Sequence, residues 1–403
     1  MRIDHIRLNN FRNYGRLDID VGPSINIVHG SNGEGKTNLI ESIYVASCVT
    51  SHKTGKDKDL IKFGTDGFDI ELNMTDDDGC GFDLDHSVEL HGDAIRRKLT
   101  CNNEKINRVS DYIGICNTVI FAPEDMNIVK GAPSERRKFL NLMISKISSR
   151  YFNVLGDANR LINQKNEFIK NAARSSDVDA NLDFCDFSLS ELTAELIINR
   201  YRYIRLLDQI AGTYHKHISN NKEELNIRYI TISGCIELLE TFLDEHSTTD
   251  GYIDRGLNKA DFEALKGILS AHILSKLKKT RKYDLEKGIS SISIKKDDIE
   301  IFINGRSTRS YSSQGQQRSA ALSLKLAELD IIRRSVRSTP ILLLDDVFSE
   351  LDADRRVSLI SAISGTQIFI TCTDRNYIEQ EIAPLLDSDS DVRYFHIKSG
   401  SIA

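Results

Sequence analysis

The chain has 403 residues, more than one average domain, and calls for two domains or for one that carries a large insertion. Hydrophobic residues at 40% and charged residues at 28% describe a folded globular chain rather than a disordered one, and no apolar run reaches the roughly 18 residues of a membrane-spanning helix. The net charge of −6 excludes a uniformly basic nucleic-acid coat and leaves room only for a local basic groove. The start, Met1-Arg2-Ile3-Asp4-His5-Ile6-Arg7, lacks the apolar core of a secretion signal, so a cytoplasmic location is expected. Seven scattered cysteines, with no Cys-x-x-Cys pair, read as buried reduced thiols.

Residues 1–130 alternate apolar and polar side chains in short runs. Ile3-x-His5-Ile6-x-Leu8, Leu17-x-Ile19-x-Val21, Ile25-x-Ile27-Val28 and Phe68-x-Ile70-x-Leu72 all predict strands. No proline occurs between 134 and 339, which permits long helices. Helical periodicity runs through Glu135 to Lys170, Leu189 to Ile218 and Phe262 to Leu277. It never sustains heptads, so short helices packed as a stubby arm are expected rather than a long coiled coil. Residues 299–303 predict another strand, ending at the Asn304-Gly305 turn signal. The apolar or β-branched runs 341–344 and 367–371 predict buried parallel strands. The expected division is 1–130, a helical 131–290, and 291–403. The run Asp387-Ser388-Asp389-Ser390-Asp391 reads as a polar loop.

The strongest motif is Gly30-Ser31-Asn32-Gly33-Glu34-Gly35-Lys36-Thr37, followed by Asn38. It has the form G-x-x-x-x-G-K-[ST], lies between a predicted strand and a predicted helix, and marks a phosphate-binding loop. Glycines let backbone N–H groups turn around an anion, and the helix N-terminus adds a favourable dipole. Lys36 would charge-pair the outer phosphates, and Thr37 can ligate Mg²⁺. The second motif, Ile341-Leu342-Leu343-Leu344-Asp345-Asp346, describes a buried strand that delivers Asp345 to a metal and Asp346 to the γ-phosphate, where a carboxylate can orient water and accept a proton. The third, Ser312-Ser313-Gln314-Gly315-Gln316-Gln317-Arg318, opens an amphipathic helix over Ser319 to Ile332 and offers donors to an anion. Ser349-Glu350-Leu351-Asp352 follows the acidic strand.

The order phosphate loop, Ser-Gly-Gly-Gln-type signature, acidic strand resembles that of ATP-binding-cassette ATPases, and Ser349 to Asp352 resembles their D-loop. Over almost its whole length the chain resembles the RecF family of bacterial DNA replication and repair ATPases, relatives of the structural-maintenance-of-chromosomes group. Leu8-x-Asn10-Phe11-Arg12-Asn13-Tyr14 is similar to the family's N-terminal stretch. Phe121-Ala122-Pro123-Glu124-Asp125, with Val129-Lys130-Gly131-x-Pro133-x-x-Arg136-Arg137, resembles its middle signature. Asn163-Gln164-Lys165-Asn166 looks like a drifted Gln-Arg-Asn stretch. The resemblance implies an α/β fold, an ABC-type ATPase head with an inserted helical arm. It implies ATP as the nucleotide and Arg12 near it. It further implies a head-to-tail homodimer in which Ser313, Gly315, Gln316 and Asp352 of one subunit complete the site built on Lys36 of the other. DNA gaps or junctions, RecO, RecR and RecA loading are the implied partners and task, with slow ATP hydrolysis as the release switch. A DNA-tethering head of the chromosome-organising type and a P-loop metabolic kinase are the alternatives.

Some stretches depart from that pattern. Ser293-Ile294-Lys295-Lys296-Asp297-Asp298 stands where the family often has Gly-Pro-His-Arg-Asp-Asp, so no role is carried over for that His. Cys372-Thr373-Asp374 follows the last predicted strand without a switch histidine, and no Q-loop glutamine is assigned. Asp76-x-x-Gly79 and Asn258-Lys259-x-Asp261 match short GTPase motifs, but neither ends an apolar strand. Basic clusters at Lys53/Lys56/Lys58/Lys62, Arg96-Arg97-Lys98, Arg136-Arg137-Lys138 and Lys278-Lys279-x-Arg281-Lys282 are candidate DNA contacts.

Overall fold

The computed structural model describes all residues except 93, 172–177, 247–254, 337, 350, 364 and 383–390, together with the side chains of 178, 354, 377, 381 and 382. Glu350 of the D-loop-like stretch and 387–390 of the polar run therefore lie outside the described residues. The chain divides into two compact units: Met1–Met126 with Tyr214–Lys222 and Gln314–Ala403, and Asn127–Thr213 with Glu223–Ser313.

The first unit holds two six-stranded sheets. One is antiparallel and joins β1 (Arg2–Phe11), β2 (Tyr14–Asp20), β4 (Gly67–Thr75), β5 (Gly81–His91), β6 (Ala94–Cys101) and β7 (Glu104–Ile106) in the order β2-β1-β4-β5-β6-β7. Its strands alternate as predicted: Phe68, Ile70, Leu72 and Met74 of β4 are all buried, and Phe68 packs edge-on against Phe11 at 5.3 Å. The other sheet uses β3 (Ile25–His29), β8 (Thr118–Phe121), β12 (Ile341–Asp345), β13 (Ile368–Cys372), β14 (Val392–Lys398) and β15 (Ser401–Ile402), in the order β15-β14-β3-β13-β12-β8. The four pairings that join β14, β3, β13, β12 and β8 are all parallel, and the side chains of β12 and β13 are buried on both faces, as central strands covered on both sides require. Helix α1 (Lys36–Cys48) is sandwiched between the sheets. His86 of β5 meets the Val45 carbonyl at 3.1 Å, and Ser47 bonds Thr118 of β8 at 2.6 Å. Covered on both sides, α1 is buried nearly all round, its polar Glu41, Ser42 and Ser47 included.

The second unit is mainly helical: α2 (Pro133–Ile147), α3 (Ser149–Lys170), α4 (Val178–Ile218), α5 (Cys235–Glu245) and α6 (Lys259–Lys287), with a small antiparallel sheet β11-β10-β9 built from β9 (Leu225–Ile230), β10 (Asp298–Ile303) and β11 (Arg306–Ser307). Two features differ from the sequence expectation. Helix α4 runs for 41 residues, so the helices are not all short; its last turn, from Tyr214, belongs to the first unit, where Tyr214 donates to Asp330 at 3.0 Å. The strand at 299–303 is present, but it pairs with β9 and falls in the second unit, not with the C-terminal part of the head. Asn258 of one GTPase-like match is the N-cap of α6, its side chain accepting from Asp261 N at 3.0 Å. The cysteines are free; Cys80 is exposed and Cys101 half-buried, so not all seven are core thiols.

The altered stretch Ser293 to Asp298 closes a buried charge network. Arg136 and Arg200 are each 1% exposed. Arg136 grips Asp298 with two nitrogens at 2.7 and 3.0 Å. Arg200 donates to Asp297 at 2.5 Å, to the Tyr151 hydroxyl at 2.9 Å and to Asn141 at 2.9 Å, while Tyr229 and Thr231 also donate to Asp297. Every strong donor has an anionic or polar partner, which is the condition for keeping charge in a core. No helix among the described residues is long and apolar enough to cross a membrane.

Candidate functional site

Strand β3 ends at His29, and the loop Gly30 to Gly35 carries the chain into α1. Two glycines here hold conformations that strain any other residue. Gly30 has φ 148°, and a Cβ on it would lie 2.4 Å from the Ile397 carbonyl oxygen; Gly35 has φ 117°, and a Cβ on it would lie 2.5 Å from the Asn13 amide. The crest Ser31-Asn32-Gly33 is exposed. Glu34 is tied down from behind: its carbonyl accepts from Asn13 Nδ2 and from Gly400 N, both at 2.9 Å. Asn38 Nδ2 donates to Asn13 Oδ1 at 2.8 Å, and the buried Tyr14 hydroxyl donates to the Gly35 carbonyl at 2.9 Å. The β1–β2 hairpin and the turn after β14 thus brace the loop from two sides.

Helix α1 begins with no side-chain cap and no acidic residue in its first turn, an arrangement that suits an incoming anion. Lys36 is 8% exposed, and its Nζ donates to the carbonyls of Gly30 at 2.7 Å and Ser31 at 2.9 Å. Burial lowers its ammonium below the ordinary lysine value, and the carboxylates of Asp346 and Asp345 pull it back up.

The parallel register brings the acidic strand to the same edge. Asp345 lies opposite Thr371, and Cys372 lies opposite His29, so β12, β13 and β3 all end beside the loop. Asp345, 2% exposed, accepts from the hydroxyls of Thr37 at 2.7 Å and Thr371 at 2.9 Å on the same oxygen, Oδ1. Asp346 is exposed and adopts φ 53°, with its backbone N–H held by Thr371 Oγ1 at 2.9 Å. A left-handed aspartate at the end of a buried strand is a strained position of the kind found at functional sites. Thr37 Oγ1 and Asp345 are hard oxygen donors in direct contact, the donor chemistry that suits Mg²⁺.

Arg12, expected near the nucleotide, has its guanidinium engaged by protein partners. Its guanidinium grips the fully buried Glu41 of α1 at 2.8 and 2.9 Å and donates to the Asp59 carbonyl at 2.7 Å. Burial opposes ionisation of Glu41, but the Arg12 and Ser51 hydrogen bonds outweigh it and hold the carboxyl below its usual value.

Helix α7 (Gln314–Val336) carries the signature-like residues, with Ser313 immediately before it. The Gly315 carbonyl accepts from Arg355 at 3.1 Å, and Ser319 accepts from the same guanidinium at 3.0 Å. Arg355 also pairs with Asp352, the N-cap of α8 (Ala353–Ala362). One arginine therefore joins Gly315 to Asp352, while Gln316 lies one residue further along α7.

Sequence reasoning did not single out Asn13, Ser51, Glu124 or Thr371 for this site. Asn13 carried a signal, since it sits in the Asn10-Phe11-Arg12-Asn13 hairpin stretch. The basic clusters also divide. Lys53 lies 3.6 Å from Asp345, Lys62 donates to the Asn13 carbonyl at 3.3 Å, Arg97 pairs with Asp57 at 2.6 Å, and Arg136 faces inward. Lys278, Lys279 and Lys282 of α6 are exposed.

A family model described as the RecF/RecN/SMC N-terminal domain matches residues 2–387. The chain is 35% identical over 404 residues to the DNA replication and repair protein RecF of Lysinibacillus sphaericus, covering 100% of this chain and 99% of that one. It is 34% identical over 406 residues to RecF of Clostridium acetobutylicum, with the same coverage of 100% and 99%. A solved structure of the recombination mediator protein RecF, from the RecFOR pathway and bearing ATPrS, superposes with a TM-score of 0.83 at 29% identity, covering 100% of this chain and 97% of that one. The Smc head domain of Pyrococcus furiosus shares the fold alone, with a TM-score of 0.50 at 13% identity over 99% of this chain and 94% of that one. With a family match along almost its whole length and full-length relatives above 30% identity, the chain belongs to the RecF family of DNA replication and repair proteins.

Proposed function

We propose that this protein is an ATP-dependent DNA-binding protein of bacterial replication and recombinational repair. It acts in the cytoplasm, binds DNA at gaps or junctions as an ATP-induced dimer, and works with RecO and RecR to load RecA. The observation that carries the reading is the 2.7 Å bond between Thr37 and Asp345, which joins a phosphate loop to an acidic strand 308 residues away. Solved structures of RecF-ATP and RecF-ATPrS support ATP as the nucleotide.

Residues Gly30 to Thr37 wrap the phosphates with backbone donors, Asn38 extends that first turn, and Lys36 exchanges its two carbonyl partners for phosphate oxygens. Thr37 and Asp345 would hold Mg²⁺, which neutralises charge developing on the phosphates. Asp346 orients the attacking water and accepts its proton, a role its exposure supports. Arg12 acts through Glu41, setting the position of α1 rather than touching the reacting atoms. Ser313, Gly315 and Gln316 at the start of α7, with Asp352, receive the γ-phosphate held by the other subunit. Hydrolysis removes that shared ligand and releases the dimer.

The test is complementation between two defective subunits, read by light scattering. Ser313→Arg puts bulk where the partner's phosphate must approach, so it retains ATP as a monomer but does not dimerise. Lys36→Ala does not retain ATP. An equimolar mixture restores one competent site and yields an ATP-dependent dimer. Dimerisation by Ser313→Arg alone, or a mixture that stays monomeric while the wild type dimerises, overturns the reading.

A further inference from the structure

The loop after α1 is built to present one lysine. Val49 caps α1 in a left-handed conformation, φ 54°, and turns the chain back. The Ser51 hydroxyl donates to buried Glu41 and accepts from the backbone of Lys53 at 2.9 Å and of Thr54 at 3.2 Å. Thr54 donates to Asp59 at 2.6 Å, and the Asp59 carbonyl accepts from Arg12, which returns to Glu41. The backbone of Lys53 is therefore held in a closed ring of hydrogen bonds, while its four-carbon stem stays free to turn.

That stem sets Nζ at 3.6 Å from Asp345 Oδ2 and 3.9 Å from Glu124 Oε1. The two oxygens of Asp345 are divided between different partners. Oδ1 takes the hydroxyls of Thr37 and Thr371, whereas Oδ2 faces the Lys53 ammonium. Asp345 is almost fully enclosed and Lys53 about one-third exposed, so the pair is screened less than a surface ion pair. A divalent cation drawn to Asp345 meets a unit positive charge at the same oxygen. The two cannot share it without strong repulsion. Glu124, within ion-pair distance of the same Nζ, offers the lysine a second carboxylate.

We propose that Lys53 is a resident counter-ion of the metal-binding carboxylate. It competes with Mg²⁺ for Asp345 and moves to Glu124 when the metal binds, so that Lys53 sets how much Mg²⁺ the site requires. Lys53 is a positioning residue in this scheme and makes no contact with the reacting atoms. The proposal rests on the ATP–Mg²⁺ reading of this site.

The experiment measures ATP retention by the full-length chain across a Mg²⁺ titration, alongside thermal unfolding in Mg²⁺-free buffer without nucleotide. Lys53→Met is expected to lower the Mg²⁺ concentration for half-maximal retention by about tenfold, a modest effect for unit charges about 4 Å apart near a protein surface. Lys53→Arg keeps the charge and stays within about threefold of wild type on the same grounds. In Mg²⁺-free buffer Lys53→Met unfolds at a lower temperature, and adding Asp345→Asn to it recovers most of the loss, as a pairwise interaction requires. Lys53→Gln repeats both measurements if the Met variant does not fold. An unchanged or raised Mg²⁺ requirement in the neutral variants overturns the proposal. Loss of ATP retention at every Mg²⁺ concentration also overturns it, because Lys53 would then be a phosphate ligand. If wild type itself retains no ATP at any Mg²⁺ concentration, the nucleotide reading fails before Lys53 is tested.

Discussion

Two buried cationic groups in this chain are neutralised in opposite ways. Arg200, in the helical unit, is surrounded by Asp297, Tyr151 and Asn141, and its charge is answered by a carboxylate at 2.5 Å. Lys36, at the head of α1, is nearly as buried, but among the described residues its direct hydrogen bonds go to the carbonyls of Gly30 and Ser31. A carboxylate satisfies a cation in low dielectric far better than a carbonyl does. The first cluster is closed on itself and holds the fold. In the proposed function, the second exchanges these weak partners for an anion at the uncapped start of α1. Burial of charge alone does not mark a site; the quality of the internal counter-charge separates structure from function.

The comparison breaks most visibly at Lys36. Lys36→Ala should lose ATP retention, and with it ATP-dependent DNA binding, while its urea midpoint stays near wild type, because only two carbonyl hydrogen bonds are removed. A folded Lys36→Ala protein that retains labelled ATP would place phosphate binding elsewhere. At the other pole, Arg200→Met leaves Asp297 buried without its cation and should cost about 3–5 kcal/mol of stability. At a temperature where the variant is folded, its ATP retention per folded molecule should be unchanged. Urea unfolding followed by circular dichroism measures the first quantity and filter retention the second.

Asp346→Asn sharpens the functional side. It keeps the shape at the end of β12 and removes the charge, so hydrolysis should slow roughly 10²-fold while the ATP dimer persists. Phosphate release at wild-type speed would move the proton acceptor to another residue.

The smallest expected effect concerns pH. His86 is 1% exposed, hemmed by Phe68 and Tyr112, and burial lowers its pKa to about 4 from an ordinary value of 6.5. The unfolded chain binds that proton first as the pH falls. The contribution of neutral His86 is therefore complete above pH 6.5 and is lost as the pH falls towards about 4, by on the order of 3 kcal/mol. Subtracting the stability profile of His86→Leu from that of wild type isolates the effect; a flat difference between pH 7 and 4 would show that His86 takes up its proton equally readily in the folded and the unfolded chain.

Much of the site was legible because it is local. The run Gly30 to Thr37 is contiguous, and its glycines declare a backbone that only glycine adopts, as φ 148° at Gly30 and 117° at Gly35 bear out. The apolar run 341–344 with Asp345 behind it read as a buried strand for the same reason: four adjacent side chains state the environment on both faces. The helical middle was legible as helix, but not in length. The periodicity of Leu189 to Ile218 reached the end of α4 but not its start at Val178, since propensity is a weak prior and tertiary contacts decide boundaries.

What the tertiary structure decided were the partners. Sequence spacing carries no information that Thr37 meets Asp345, that Arg12 spends its guanidinium on Glu41, or that Arg355 joins Gly315 to Asp352. Lys53 reads from sequence as one lysine in a basic cluster and comes within 3.6 Å of Asp345 only because β12 ends beside the loop that follows α1. Asp297 and Asp298, the retained end of an altered stretch, become core anions only because Arg136 and Arg200 arrive from other helices. Local backbone chemistry is written in neighbouring residues, whereas charge pairing depends on which distant segments the packing of apolar faces brings within about 4 Å, the range over which one ion selects another.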